Sequence, residues 1–267
     1  MQIEPYAGYF AEAGFAVLLY DHRGFGLSDG APRQEVDPYV QLSDWRDAIS
    51  FAETQSEFAT HAGFGVWGPS FAGGLAMVLA GNDPRVSCVV AQIPNVSGHR
   101  NGAKIFTAEQ LAEIRRRAAA DRAGRLAGQQ PKTVPIFPTF EGEVSALMTG
   151  LPDGVIDRAS RAPTWKNEVT VRSLEHLIEF EPAGWMPHVS PKPLLMIIAE
   201  QDMCTFSDIQ RNVFAGLSEP KKLISYAGGH FDAYVEFFNE TAEWARTWFV
   251  QHCAVPLDLG QAPRARP

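Results

Sequence analysis

The chain has 267 residues, of which 45% are apolar and 20% charged, so it can bury a sizeable core and is neither disordered nor fibrous. Its formal charge is -8, with basic residues scattered apart from Arg115-Arg116-Arg117, which argues against nucleic acid as a partner. Three cysteines, Cys88, Cys204 and Cys253, are too few and too irregularly spaced for a disulfide framework or a metal knuckle, so no metal or other cofactor is expected and a reducing, cytoplasmic setting fits.

Taken in chain order, short apolar runs alternate with stretches of helical spacing over the first hundred residues and again after residue 190, the pattern of a mostly parallel α/β sheet with helices on both faces. Strands are predicted at Ala16–Tyr20, Phe64–Trp67, Val86–Gln92, Pro193–Ala199 and Lys222–Tyr226. Most of these are apolar on both alternating faces, as strands covered on two sides must be. None of the apolar runs approaches the roughly 20 residues a membrane helix needs, so no span is expected. The opening Met-Gln-Ile-Glu-Pro-Tyr has neither a basic start nor an apolar stretch and does not read as a signal peptide.

Helices are predicted over Pro38–Glu53, over Ser70–Ala80 as a buried one, and over about Ala233–His252, where Phe237, Trp244 and Trp248 share the face that should meet the sheet. Residues 98–188 interrupt the alternation with a charged helix at Ala108–Leu126, several prolines and an amphipathic stretch at Val169–Phe180. This region reads as a helical lid inserted into a core made of residues 1–97 and 189–253. The tail, 254–267, has no period and is expected to be disordered.

Chemistry concentrates at three strand ends. After Phe64–Trp67 comes Gly68-Pro69-Ser70-Phe71-Ala72-Gly73-Gly74 and then a helix. A serine at a sharp strand-to-helix turn, with small residues two before and two after, is a nucleophile-elbow arrangement. Here Ala72 stands where a glycine is more usual. Ser70 would be the nucleophile and the Phe71 N–H an oxyanion donor; the competing interpretation is a helix N-cap serine. Beyond Pro193–Ala199 lies Asp202, and beyond Lys222–Tyr226 lies His230. Catalytic groups of open α/β sheets sit outside those carboxyl ends. His230 would accept the serine proton and Asp202 would orient and stabilise the imidazolium. Glu200 and Asp208 are the rival acids.

These motifs, together with Tyr20-Asp21-His22-Arg23-Gly24-Phe25-Gly26-Leu27-Ser28-Asp29-Gly30, resemble the α/β-hydrolase superfamily, in the branch that holds bacterial esterase-like hydrolases and fungal polyketide transferases and hydrolases. The resemblance implies an ester, thioester or amide substrate and a serine acyl-enzyme. It also implies three strands before Ala16, the third lying between the strands at Ala16 and Phe64 and ending in a His-Gly-rich turn that supplies the second oxyanion donor. On this resemblance the chain is expected to be N-terminally incomplete, with a hole in the sheet.

The leading expectation is a serine hydrolase acting on a small acyl ester or thioester. An acyltransferase with the same triad and an inactive remnant acting as a binding protein are the alternatives, and a homodimer is compatible with each. Asp21 and Arg23 are expected to brace their turn. Among lid aromatics, Trp185 and Phe140 are assigned to substrate binding, with Phe137 and Trp165 as further candidates; Met148, Met186 and Met203 are candidate pocket residues.

Overall fold

The computed structural model describes residues 3–58, 63–147 and 162–253; Met148 and the tail at 254–267 lie outside the described residues. Four parallel strands form the central sheet: β1 (Phe64–Pro69), β2 (Val86–Gln92), β5 (Leu194–Ala199) and β6 (Lys221–Tyr226), side by side in that order. Parallel neighbours require crossovers, and helices supply most of them on both faces. On one face α2 (Pro38–Glu53) and α3 (Phe71–Asn82) pack on Val89, Ala91, Leu194, Met196 and Ile198. On the other, α1 (Glu4–Glu12) and the C-terminal helix (Phe238–His252) cover Cys88, Val90, Leu195, Ile197 and Ala199. The alternation along β2 and β5 is thus a division between two apolar layers, which is why both strands are apolar throughout.

The strand predicted at Ala16–Tyr20 does not form. The segment belongs to no sheet, and Val17, Leu18 and Leu19 are each more than a third exposed. The physical reason is the absence, among the described residues, of a neighbouring strand: backbone groups without a ladder partner make no sheet, however suitable the side chains. An apolar cavity of about 440 Å3 separates this segment from β1, lined by Phe15, Leu19, Ile49, Phe64, Val66 and Trp67 among others. The helix predicted over Ala233–His252 is also corrected. A 3-10 turn at Asp232–Tyr234 comes first and the α-helix starts at Phe238; Trp248 and Phe249 carry its buried face.

Residues 98–188 leave the sheet after β2 and return before β5. They contain α4 (Gly98–Ile105), α5 (Ala108–Leu126), a two-residue antiparallel ribbon of β3 (Thr133–Val134) with β4 (Val169–Thr170), and α6 (Val171–Glu179). Thr107 and Gln110 cap α5 reciprocally, each side chain bonding the other's backbone N–H. The region has an apolar cluster of its own around Phe106, Ile114, Ala118, Val134, Val171 and Leu174. Gly98 ties it to the end of α6 at a separation only glycine permits, since a Cβ there would sit 2.0 Å from the Leu177 carbonyl oxygen.

Candidate active site

The carboxyl end of β1 turns sharply into α3 at Ser70, which adopts φ 54°, ψ -123°, a left-handed conformation that costs a non-glycine residue energy. Four backbone bonds hold it: Ser70 N–H to the Gln92 carbonyl (2.8 Å), and the Gly73, Gly74 and Asn95 N–H groups to the Ser70 carbonyl (3.0, 3.4 and 2.9 Å). Small residues permit the turn. A Cβ on Gly68 would lie 2.3 Å from the Ala72 carbonyl oxygen, and one on Gly74 would lie 2.4 Å from the Asn95 carbonyl oxygen. Ala72 itself fits where glycine is more usual. The Ser70 side chain makes no capping bond to the helix; the N-cap interpretation fails because its hydroxyl lies 2.9 Å from His230 Nε2.

His230 follows β6 through Gly228 and Gly229, and its loop is braced by the Gly229 N–H donating to Asp232 (2.7 Å) and the Tyr226 hydroxyl donating to the Gly229 carbonyl (3.0 Å). Its Nδ1 lies 2.8 Å from Asp202 Oδ2. Asp202 is only 3% exposed. Burial pushes its carboxyl up, but the adjacent His230 and the backbone donors of Thr205 and Cys204 outweigh that and leave it below the ordinary carboxylate range. The rival acids point elsewhere: Asp208 pairs with Lys104 at 2.8 Å, and Glu200 pairs with Arg211. Phe71 is the first residue of α3, so its N–H is one of the donors a helix start leaves without an intrahelical acceptor.

Ser70, His230 and Asp202 therefore converge from three strand ends. Trp185 and Phe140 do not join them. The Trp185 carbonyl lies against Gly81 at the far end of α3, its ring against His188, and Phe140 is 65% exposed. The aromatic that does reach the histidine loop is Phe137. It packs on Phe231, which lies edge-on to His230, and on Trp165 behind it. The side-chain amide of Asn167 accepts from the Phe137 N–H (2.8 Å) and donates to its carbonyl (2.9 Å), fixing that stretch. Asp21 and Arg23 serve their turn. Asp21 accepts from the Leu27 N–H, and Arg23 bonds Asp44 at 2.6 and 2.9 Å. His22 accepts from the Trp45 indole N–H, and burial lowers its pKa.

Thr205 carries no motif that marks it in the sequence, although it too borders the Asp202–His230 pair: its hydroxyl lies 2.8 Å from Asp202 Oδ2 and 3.3 Å from His230 Nδ1. The available signal was its place three residues beyond an aspartate, where Asp side chains commonly capture backbone N–H groups. Asp202, Cys204 and His230 are the one group among the described residues with metal-ligand chemistry, their ligating atoms lying within 4.8 Å of one another. The carboxylate and imidazole of that group are bonded to each other.

A parallel sheet flanked by helices, with serine, acid and histidine delivered in that chain order from its strand ends, is an α/β-hydrolase. Residues 2–237 match the family described as Serine aminopeptidase, S33, and the chain belongs to that family. It is 28% identical over 271 residues to a thiohydrolase of Eupenicillium brefeldianum, covering 99% of this chain and 85% of the relative. It is 28% identical over 234 residues to the polyketide transferase grgF of Penicillium sp, covering 85% of this chain and 74% of the relative. The crystal structure of the α/β hydrolase GrgF from Penicillium sp. sh18 superposes with a TM-score of 0.79 at 25% identity, covering 95% of this chain and 85% of that one. The chain is thus a hydrolase-family enzyme. No helix among the described residues is long and apolar enough to cross a membrane.

Proposed function

We propose that the protein is a cytoplasmic serine hydrolase that cleaves a carboxylic ester or thioester through an acyl-enzyme on Ser70, beneath a lid formed by residues 98–188. The observation that carries this reading is the 2.9 Å contact between Ser70 Oγ and His230 Nε2 at a strained turn. A neutral hydroxyl is a weak nucleophile, so His230 takes its proton as Oγ attacks the acyl carbon. The charge developing on the carbonyl oxygen meets the Phe71 N–H; one such donor is worth about 100- to 1000-fold in turnover. Asp202 stays ionised and balances the imidazolium, which then protonates the leaving alkoxide or thiolate. Water, deprotonated by the same His230, releases the acid and restores Ser70.

Similarity to a polyketide transferase supports a second reading, in which an alcohol or amine replaces water at the acyl-enzyme. The first step is the same, and only the exclusion of water differs. A fluorophosphonate probe should label Ser70 stoichiometrically, and a panel of nitrophenyl esters and acyl thioesters, run with and without an added alcohol, should separate hydrolysis from transfer. Substantial turnover by a folded Ser70→Ala variant would overturn both readings.

A further inference from the structure

We infer that Thr205 is a positioning residue for the acid of the triad, held in its working orientation by Gln210; this rests on the reading of Ser70, His230 and Asp202 given above. The argument begins with the carboxylate's partners. Asp202 Oδ1 accepts from the backbone N–H groups of Cys204 (2.7 Å) and Thr205 (2.8 Å). Its Oδ2 faces His230 Nδ1 and the Thr205 hydroxyl, each at 2.8 Å. Four donors match the lone-pair sites a carboxylate offers, and Thr205 supplies two of them.

The hydroxyl has one proton and two nearby acceptors, Asp202 Oδ2 at 2.8 Å and the Ile93 carbonyl at 2.9 Å. Gln210, fully buried, decides how that oxygen is used. Its amide nitrogen has two hydrogens: one goes to the Pro94 carbonyl (2.9 Å) and the other to Thr205 Oγ1 (3.2 Å). With one lone pair of Oγ1 filled by Gln210, the hydroxyl proton is left to choose between those two acceptors, and the charged one draws it more strongly than the neutral one. Gln210 and Thr205 also fasten the acid loop to residues 93–95. That turn holds Ile93 at φ 42°, a rare conformation for a β-branched residue, and its Asn95 N–H bonds the Ser70 carbonyl. One buried network thereby sets the acid and the nucleophile relative to each other.

The test uses nitrophenyl butyrate as probe substrate and compares Thr205→Val, Thr205→Ser and Gln210→Leu with wild type and Ser70→Ala. Valine keeps the shape and the backbone N–H and removes only the hydroxyl. Thr205→Val should lose about 10- to 100-fold in kcat, the worth of one hydrogen bond to a charged group, with KM unchanged. Thr205→Ser should regain most of the loss, and Gln210→Leu should fall between them. The downfield proton resonance of the His230 Nδ1–H should shift in Thr205→Val and keep its wild-type position in Thr205→Ser. If Ser70→Ala is inactive but a folded Thr205→Val turns over like wild type, or if serine rescues nothing, the role of Thr205 is overturned while the triad stands. Activity in Ser70→Ala overturns both.

Discussion

The nucleophile turn offers a sharp test, because one added methyl group should damage it by an amount the geometry sets. In Gly68→Ala the new Cβ would lie 2.3 Å from the Ala72 carbonyl oxygen and 2.5 Å from its carbon, both backbone atoms, whereas ordinary van der Waals contact begins at 3.4 Å. Relief requires α3 to move away from β1 by about 1 Å at its first turn, since neither atom belongs to a flexible side chain. Ser70 and the Phe71 N–H ride on that turn, and a displacement of about 1 Å at a catalytic group costs on the order of 100-fold in rate. Overpacking of this kind destabilises by about 1 to 3 kcal/mol, which for a chain of this size lowers the melting temperature by roughly 2 to 12 °C. Gly8→Ala is the control. It lies on the exposed side of α1 with nothing within 4 Å of its Cβ, and it should leave kcat/KM alone while adding about 0.5 to 1 kcal/mol. Initial rates on nitrophenyl butyrate and a calorimetric melt measure both effects. A Gly68→Ala variant with wild-type kcat/KM and melting temperature would refute the close-approach argument.

Asp202→Asn should keep the fold yet lower kcat by on the order of 1000- to 10000-fold, because the amide stabilises the wrong imidazole tautomer; steady-state kinetics on the same ester checks this. Since the Asp202 carboxyl is held below its ordinary range in the folded chain, its ionisation adds stability above the unfolded value near about 3.9, and that stability is lost as pH falls toward the folded value. The melting difference between wild type and Asp202→Asn should therefore narrow as pH drops from about 5 toward 3. Tyr6→Phe removes a buried hydroxyl that donates to the Ala233 carbonyl at 2.6 Å and meets Thr241 Oγ1 at 2.7 Å and Gln92 Nε2 at 2.9 Å; denaturant unfolding should report a loss of about 1 to 3 kcal/mol. Phe137→Leu should change acyl-chain preference across the ester panel while Trp185→Ala should not, because only Phe137 reaches the His230 loop through Phe231.

Much of the site was legible because its signals are local. Gly68, Ser70 and Gly73 lie within one turn, and Asp202 and His230 each follow an apolar run by a few residues. Strand existence was legible where an apolar run also had a neighbour to pair with, as at Val86–Gln92, and not at the equally apolar Ala16–Tyr20. The placement of the lid aromatics was less legible, for a different reason. Trp185 and Phe140 are large, apolar and in the insertion, but those properties do not say what a side chain meets: the Trp185 carbonyl lies against Gly81 and Phe140 is 65% exposed. Phe137 was distinguished by the Asn167 amide that pins it, a contact across 30 positions.

What the sequence determined by itself was the class of fold and the three side chains, Ser70, Asp202 and His230, that converge at the strand ends, since periodicity, turn chemistry and chain order are properties of short segments. The tertiary structure alone decided three other things: that Ala16–Tyr20 has no strand partner among the described residues, that Thr205 and Gln210 complete the surroundings of Asp202, and that Phe137 rather than Trp185 meets the histidine loop. Each depends on groups far apart in the chain meeting in space. Apolar burial is non-directional and leaves such pairings open. Hydrogen-bond geometry, ring contacts and the supply of ladder partners settle them only once the layers have packed.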